Sequence, residues 1–271
     1  MPPHVGASRM PDLVGLAERI AERGITLGKP LHLLDEVEST NDSAKQASRE
    51  GAPHGSTWLA ESQTRGRGRQ GRSWISPRGE NLLFSVLART TCPVARVPEL
   101  ALVAGLAVRD AVARALGGSG GPQARLKWPN DVLVGQKKIA GILVESTLTG
   151  RRVEALVIGV GINVHTRSFP DELAGRATSL ALEARAPVDR AEVLVDVLSG
   201  LHRDLELVAG RGLGLVHARL TEADALAGQA ISCEAGSGTA QGIDTEGRLL
   251  LRRDDGVLLR LTSGEVHLGR G

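Results

Sequence analysis

The sequence Glu-Ser-Gln-Thr-Arg-Gly-Arg-Gly-Arg-Gln-Gly-Arg occupies residues 61–72, and arginine and glycine nearly alternate from residue 65 to residue 69. Glycine allows positive φ angles and a close approach of the backbone to a ligand. Arginine presents a rigid fork of donors that matches carboxylate and phosphate oxygens. The composition favours a loop that closes over an anion, with a solvated surface loop and a nucleic-acid-binding segment as the alternatives.

The overall composition is that of an ordinary globular protein, with 41% hydrophobic and 24% charged residues among 271. A net charge of +2 and an aromatic content of 2% argue against nucleic-acid binding, so we expect no DNA partner. No apolar run reaches ~18 residues, and a signal-peptide core is absent, so a cytoplasmic protein with no membrane segment is predicted. Cys92 and Cys233 fit no metal-binding spacing and are predicted to be reduced thiols.

Hydrophobic periodicity and turn residues predict a mixture of helices and strands up to about residue 224. The predicted helices cover residues 12–23, 39–49, 98–116, 189–208 and 214–220. The predicted strands cover residues 31–34, 57–60, 82–87, 132–134, 138–145 and 152–158. The glycine-rich residues 117–122 are predicted to form a loop.

Beyond residue 225 the pattern changes to short strands separated by turn residues. These strands are predicted at residues 229–234, 239–243, 249–252, 257–261 and 265–268. Their spacing predicts a small β-barrel of residues 225–271, which packs on a larger domain of residues 1–224 because it is too small to hold a core of its own.

Two groups of polar residues stand out from this framework. Ser39 and Thr40 open a predicted helix, where a hydroxyl serves either as an N-cap or as a hydrogen-bond partner for a polar ligand. Lys127, Asp131 and Lys138 are predicted to converge at one end of a sheet. They form either a structural ion pair or a site in which a lysine faces a phosphate and a carboxylate faces a metal or an amine.

Five segments, taken together and in order, resemble the motifs of biotin–protein ligases. They are Ser39-Thr40-Asn41, residues 61–63 with 66–72, residues 127–131 (Lys-Trp-Pro-Asn-Asp), residues 138–145 and residues 159–163. The resemblance implies an α+β fold in which a mixed β-sheet has helices packed on one side, followed by a small C-terminal SH3-like β-barrel. It also implies the monofunctional class, which lacks an N-terminal DNA-binding domain.

The resemblance further implies a two-step reaction. Biotin and ATP, with Mg²⁺, form biotinyl-5′-AMP, and biotin is then transferred to a lysine of a biotin carboxyl carrier domain of acetyl-CoA or related acyl-CoA carboxylases. The residues implied for binding biotin are Ser39, Thr40, Asn41, Gln63, Gly66, Arg67, Gly68, Arg69, Lys138 and Gly141. Those implied for binding ATP are Arg67, Arg69, Arg72, Trp74, Lys127, Asn130 and Asn163. Lys138, Arg69 and Asp131 are the implied catalytic residues, with Asp131 also a Mg²⁺ ligand.

Two other functions remain as alternatives. One is a lipoate- or octanoate-transferring relative of the same fold, against which stand the Gly-Arg-Gly-Arg loop and the C-terminal barrel. The other is a noncatalytic ligand-binding or nucleic-acid-binding protein, whose nucleic-acid version the low charge and few aromatic residues disfavour.

Overall fold

The computed structural model describes residues 10–117 and 122–269. Its helices are α1 (Leu16–Glu22), α2 (Thr40–Arg49), α3 (Val97–Ala115), α4 (Leu180–Glu183), α5 (Arg190–Arg211) and α6 (His217–Ala223). Its first seven strands are β1 (Leu31–Val37), β2 (Thr57–Gln63), β3 (Leu82–Pro93), β4 (Ala124–Lys127), β5 (Asp131–Val134), β6 (Lys137–Thr149) and β7 (Arg152–Ile162). The remaining strands are β8 (Ala230–Cys233), β9 (Gly236–Ile243), β10 (Leu249–Arg252), β11 (Leu258–Leu261) and β12 (His267–Leu268).

The first seven strands form one mixed sheet in the order β1-β2-β3-β7-β6-β5-β4. Strands β1 and β2 are parallel, and every other neighbouring pair is antiparallel. This sheet confirms the predicted mixed architecture. The connections from β4 through β7 are short, so the hairpins bring the lysine-rich segment 127–138 together at one end of the sheet.

Helices α3 and α5 cover one face of this sheet. Alternate residues of β3 (Leu82, Phe84, Val86 and Ala88) point into the main core with both helices, as the period of two in a strand requires. The two helices approach closely at Gly200, where a Cβ atom would lie 2.9 Å from the Cβ of Ala107. Asp189, where this helix was predicted to start, is the N-cap of α5, and its carboxylate accepts a hydrogen bond of 2.8 Å from the backbone N–H of Ala191.

Helix α2 lies on the opposite face, where Ala44 packs against Trp58, Leu87 and Val157. The predicted packing of helices on one side of the sheet is confirmed for α3 and α5, and the shorter α2 lies on the other side. The apolar face of α2 consists of alanines and covers only one part of the sheet. The rest of that face stays open for a cavity.

Several predicted boundaries are wrong: β1, β2, β3 and β6 run several residues beyond their predicted ends. The helix predicted at residues 12–23 is split into a 3-10 turn (Pro11–Leu13) and α1, because Gly15 between them has a φ of 75°. The helix predicted at residues 214–220 starts only at His217, after a 3-10 turn (Leu213–Leu215). Strand β7 runs through Gly159 and Gly161 to Ile162 and does not end at residue 158. In the predicted glycine-rich loop, residues 118–121 lie outside the described residues.

The last five strands form an antiparallel sheet in the order β11-β10-β9-β8-β12, which confirms the predicted SH3-like element. Strand β9 begins already at Gly236, within the segment predicted to separate the strands at residues 229–234 and 239–243. Apolar residues of this sheet, such as Ile231 and Leu251, belong to the same buried cluster as α3 and α5. The indole N–H of Trp128 also donates to the carbonyl of Gly247 at 3.0 Å. The sheet therefore packs firmly on the larger part of the chain. Among the described helices, none has the length and apolar character needed to cross a membrane.

Candidate active site

A cavity of about 610 Å³ opens on the face of the sheet that carries α2. Its floor is made by β6 and β7, where Gly141 and Gly161 are cross-strand partners. A Cβ atom on Gly161 would lie 2.6 Å from Cε2 of Trp74, and one on Gly159 would collide with the amide oxygen of Asn41. The glycines of β7 therefore let the side chains of Trp74 and Asn41 lie directly on the strand, which the sequence predicted only as a close approach.

One end of the cavity is polar and uncharged. It is lined by Ser39, Thr40 and Gln63. The backbone N–H of Thr40 donates to Oε1 of Gln63 at 2.8 Å, so the side chain of Gln63 satisfies the first turn of α2. Ser39 occupies the N-cap position, but its side chain makes no capping hydrogen bond. Its hydroxyl thus remains available to a ligand.

The arginine–glycine loop folds back on itself beside this end. Residues Arg67 and Ser73 form an isolated antiparallel bridge, and the N–H of Gly68 donates to the carbonyl of Arg72 at 2.7 Å. Gly66 is buried, and a Cβ atom there would lie 2.7 Å from the carbonyl oxygen of Trp74. Among the predicted site residues, Gly66 is the one that does not line the cavity. Its role in the described structure is to let the two arms of the loop meet.

The four arginines of this loop have different partners. Arg65 pairs with Glu38, Arg67 pairs with Asp42 of α2 at 2.5 Å, and Arg72 pairs at 2.7 Å with Glu265, which lies between β11 and β12. Arg69 has no carboxylate partner in the described residues, and its guanidinium donates only a 3.3 Å hydrogen bond to Asn130. Burial lowers the pKa of Arg69 from its usual range, as expected for a charge with incomplete compensation. Arg69 is therefore the cation of the loop that is most available to an anion.

Three charged residues converge at the other end of the cavity, as the sequence predicted. Nζ of Lys138 lies 2.6 Å from Oδ1 of Asp131 and 5.5 Å from the ring centroid of Trp74. Lys127 is the cross-strand partner of Asp131. Burial lowers the pKa of Lys127. The charge of Asp131 raises this pKa, and the charge of Lys138 lowers it further. In the described part of the chain Lys127 makes no ion pair, so this end has an excess of positive charge.

The three asparagines of the predicted site are all hydrogen-bonded within the protein. Nδ2 of Asn130 donates to the carbonyl of Ile142 at 2.7 Å, and Nδ2 of Asn163 donates to the carbonyl of Thr178 at 3.0 Å. Asn41 bonds to side chains behind the cavity. These amides hold strand ends and turns in place. A ligand can therefore bond only to the side-chain amide oxygens or N–H groups that these hydrogen bonds leave unused.

Two segments line the cavity although their sequences did not predict a role in the site. One is the irregular stretch around residues 169–177, which includes Phe169 and Arg176. It is held by the backbone N–H of Lys138, which donates to the carbonyl of Arg176 at 2.8 Å. The other is the end of the C-terminal part, which contributes His267 of β12 and Glu265 of the loop before it. Neither segment carries a local signal, because both reach the cavity only through long-range contacts.

Comparison with known proteins agrees with this geometry. The Biotin/lipoate A/B protein ligase family matches residues 33–163, and the Biotin protein ligase C terminal domain matches residues 234–269. The biotin--[acetyl-CoA-carboxylase] ligase of Paracoccus denitrificans is 34% identical over 88% of this chain and 100% of its own length. The bifunctional ligase/repressor BirA of Bacillus subtilis is 35% identical over 90% of this chain and 75% of its own length.

The chain belongs to the biotin protein ligase family. A solved structure of the family, the biotin protein ligase from Aquifex aeolicus in complex with biotin and ATP, superimposes with a TM-score of 0.73. The two chains are 30% identical, and the match covers 89% of this chain and 100% of the other. Both matched regions contribute residues to the wall of the cavity described above, such as Thr40 and Lys138 from the first and His267 from the second.

Proposed function

We propose that the protein is a biotin–protein ligase, which joins biotin to AMP with ATP and then transfers biotin to a lysine of a carrier domain. One observation carries this proposal. A single cavity has an uncharged hydrogen-bonding end at Thr40 and Gln63 and a cationic end at Arg69, Lys127 and Lys138. A molecule with a neutral polar ring at one end and an anion at the other fits that distribution. The volume of the cavity, about 610 Å³, is in the usual range for small-molecule sites.

The uncharged end is assigned to the ureido ring of biotin. Ser39, Thr40 and Gln63 supply hydroxyl and amide groups there. Arg67, Gly68 and Gly141 also line the cavity. Asn41 supports this end from behind. The biotin carboxylate then points towards Lys138.

The cationic end is assigned to ATP. Arg69, Lys127 and Lys138 face the phosphates, and Arg72, held by Glu265, closes the outer edge. Trp74 offers an aromatic face, and its buried indole N–H has no partner in the described residues. Asn130 and Asn163 line the cavity at this end and are assigned to the nucleotide.

A magnesium ion fits this end only when it is bound together with the phosphates of ATP. No cluster of three or more acidic, histidine or cysteine side chains that could hold a metal occurs in the described residues. Mg²⁺ is commonly held by one or two carboxylates together with substrate phosphates, and Asp131 supplies one carboxylate at the cavity wall. The ion would neutralise phosphate charge when it is bound there.

In the first step a carboxylate oxygen of biotin attacks the α-phosphorus of ATP, and the bond to the bridging oxygen of pyrophosphate breaks. Both reactants are anions and repel each other, so the protein must supply positive charge at the point where they meet. Lys138 is assigned this role, because Nζ lies in the cavity and a 2.6 Å contact with Asp131 orients it. Arg69 is assigned to hold the resulting biotinyl-5′-AMP under the loop.

In the second step the amine of the acceptor lysine attacks the carboxyl carbon of biotin, and AMP leaves. The reactive form is the free amine, yet a lysine in water has a pKa of ~10.4. Asp131 is the carboxylate assigned to guide the ammonium group and to accept its proton. No covalent enzyme intermediate is required, because the mixed anhydride is already activated.

The partner assigned to the second step is a biotin carboxyl carrier domain of an acyl-CoA carboxylase. Support comes from relatives whose names include the acetyl-CoA-carboxylase acceptor. We also propose that the catalytic domain comprises residues 1–224 and the C-terminal domain residues 225–271. The support is the change at β8 from the seven-stranded sheet to the five-stranded one.

The test is incubation of the purified protein with ATP, Mg²⁺ and radiolabelled biotin or lipoate, with and without a carrier domain. We expect ATP-dependent formation of biotinyl-5′-AMP without the carrier and labelling of a single carrier lysine when it is present. Lipoate should remain unreacted. Labelling with lipoate in place of biotin would establish the alternative transferase, and binding without adenylate formation would establish a noncatalytic protein.

A further inference from the structure

A chain of polar side chains lies behind the uncharged end of the cavity and takes no part in the chemistry proposed above. Ser85 of β3 is completely buried and is the cross-strand partner of Gly159. It does not line the cavity. Its hydroxyl lies between Thr40, which does line the cavity, and Asn41, which contacts Glu145 of β6. The chain therefore joins a charged group to a ligand-facing hydroxyl.

Glu145 determines which way the amide of Asn41 is turned. Nδ2 of Asn41 lies 2.7 Å from Oε2 of Glu145 and 3.4 Å from the carbonyl oxygen of Leu143. Both neighbours only accept hydrogen bonds, because Lys45 holds Glu145 as a carboxylate through a 2.8 Å ion pair. The amide nitrogen must face them, and the amide oxygen must face Ser85 at 2.6 Å.

Counting protons then sets the direction of the two hydroxyl groups. Ser85 and Thr40 have one hydroxyl proton each, but they make three oxygen–oxygen contacts. Ser85 lies 2.6 Å from Oδ1 of Asn41 and 2.7 Å from Oγ1 of Thr40, whereas Oγ1 of Thr40 lies 3.1 Å from Oε1 of Gln63. Hydrogen bonds between a hydroxyl and an oxygen span about 2.5–3.0 Å, so the longest contact is the one without a proton. Ser85 donates to Asn41, and Thr40 donates to Ser85.

The cavity consequently presents a fixed pair of groups. The hydroxyl proton of Thr40 points away from the cavity, so its oxygen acts as an acceptor towards a ligand. Oε1 of Gln63 accepts the backbone N–H of Thr40 at 2.8 Å, so its amide nitrogen is the group left to donate. An acceptor beside a donor is complementary to a ring that carries an N–H beside a carbonyl.

We infer that Glu145, acting through Asn41 and Ser85, fixes Thr40 as a hydrogen-bond acceptor and thereby selects a ligand ring with an N–H group at that position. Glu145 and Ser85 are positioning residues, because neither touches the ligand. The inference rests on the proposed function, since the ureido ring of biotin supplies both the N–H and the carbonyl. It adds a reason for selectivity that does not depend on shape.

The test compares biotin with its two cyclic carbamate analogues, in each of which one ureido N–H is replaced by a ring oxygen. Dissociation constants are measured by calorimetry. For the unmodified protein, the analogue that places oxygen against Thr40 should bind about 10- to 100-fold more weakly than biotin, since two acceptors then face each other. In Ser85→Ala the hydroxyl proton of Thr40 loses its acceptor and can turn towards the cavity or towards Oε1 of Gln63, which lies 3.1 Å away. Biotin should bind less tightly, and the difference between biotin and that analogue should shrink to about threefold or less.

Ser56→Ala is the matched control. Ser56 is also completely buried, and its hydroxyl donates at 2.8 Å to the carbonyl of Pro53, outside the cavity. This variant should lose a similar amount of thermal stability and keep the unmodified ratio of dissociation constants. If Ser85→Ala does not fold, Glu145→Gln replaces it, because Glu145 is part-exposed and the neutral amide lets Asn41 turn.

The outcomes are distinct. A smaller ratio in Ser85→Ala or Glu145→Gln, with the control unchanged, supports the inference. An unmodified ratio in those variants overturns it, as would equal binding of biotin and both analogues by the unmodified protein. Failure of the unmodified protein to bind biotin or to form biotinyl-5′-AMP is a separate result, and it overturns the proposed function itself.

Discussion

Replacing Lys138 separates a catalytic role from a structural one, because the structure contains the ion pair that a structural role requires. Nζ of Lys138 lies 2.6 Å from Oδ1 of Asp131, but the two side chains are 34% and 21% exposed. A pair with that much solvent contact contributes at most about 1 kcal/mol to stability. In a chain of this size, about 1 kcal/mol shifts the melting temperature by roughly 2–4 °C. Lys138→Ala should therefore remain folded.

The catalytic loss expected from Lys138→Ala is larger. A preorganised group that stabilises developing charge in the transition state contributes about 10²–10³ in rate, or roughly 2.7–4 kcal/mol. We expect pyrophosphate release from ATP and biotin to fall by that factor. Transfer from synthetic biotinyl-5′-AMP to the carrier domain should fall much less, because the bond to phosphorus has already formed. Lys138→Arg should not restore the first step, since the guanidinium is wider and its charge more diffuse.

The assay measures three quantities on one protein preparation: pyrophosphate release, transfer from supplied biotinyl-5′-AMP, and the melting temperature. Lys137→Ala is the matched control, because Lys137 is the adjacent lysine, is exposed and does not line the cavity. It should leave all three quantities unchanged. A folded Lys138→Ala protein with normal pyrophosphate release would refute the catalytic assignment. An equal fall in both steps, with a melting temperature lower by more than about 5 °C, would show that the pair with Asp131 is structural.

Three further predictions follow from other parts of the site and fold. Arg69→Gly should still form biotinyl-5′-AMP but release it, so mass spectrometry should find biotin on lysines of an added bystander protein; labelling confined to the carrier domain would contradict this. Gly161→Ala places a Cβ 2.6 Å from the ring of Trp74 and should displace the ring. The affinity for ATP, measured by titration, should therefore weaken by about 1–3 kcal/mol. An unchanged affinity would refute the assigned contact between Trp74 and the nucleotide. Burial raises the pKa of Asp224, one of whose carboxyl oxygens has no partner in the described residues. The protonated carboxyl group therefore contributes fully to folding stability below the unfolded-state pKa of 3.8, and this contribution is lost as the pH rises through the higher pKa of the folded state. The melting temperature of Asp224→Asn should thus match that of the unmodified protein near pH 3.8 and exceed it at neutral pH, and a constant difference across pH would contradict the assignment.

The positions of the helices and strands were largely predictable, because they depend on short-range periodicity. The exceptions mark places where a backbone angle or the pairing of distant strands overrides the local pattern. Gly15, with its φ of 75°, divides the first helical segment although its neighbours follow a helical pattern. Gly159 and Gly161 look like the end of a strand in the sequence, yet β7 continues through them because β3 and β6 pair with it on both sides.

The convergence of Lys127, Asp131 and Lys138 was determined by the sequence alone, since two short hairpins leave these residues few other positions. The tertiary structure alone decided which arginine of the loop has no carboxylate partner and is therefore available to an anion. Arg67, Arg69 and Arg72 occupy equivalent places in an Arg-Gly repeat, and only their distant partners distinguish them. The partner of Arg72 is Glu265, which lies 193 residues away in the chain.

The same limit applies to the cavity wall. The C-terminal sheet and the stretch around residues 169–177 contribute to it through contacts that no local pattern encodes. Local sequence specifies backbone angles and hydrogen-bonding capacity because those depend on neighbouring residues. The pairing of charges, the direction of the hydroxyl protons at Ser85 and the side chains that share a cavity depend on residues far apart in sequence, and only the folded chain brings them within reach of one another.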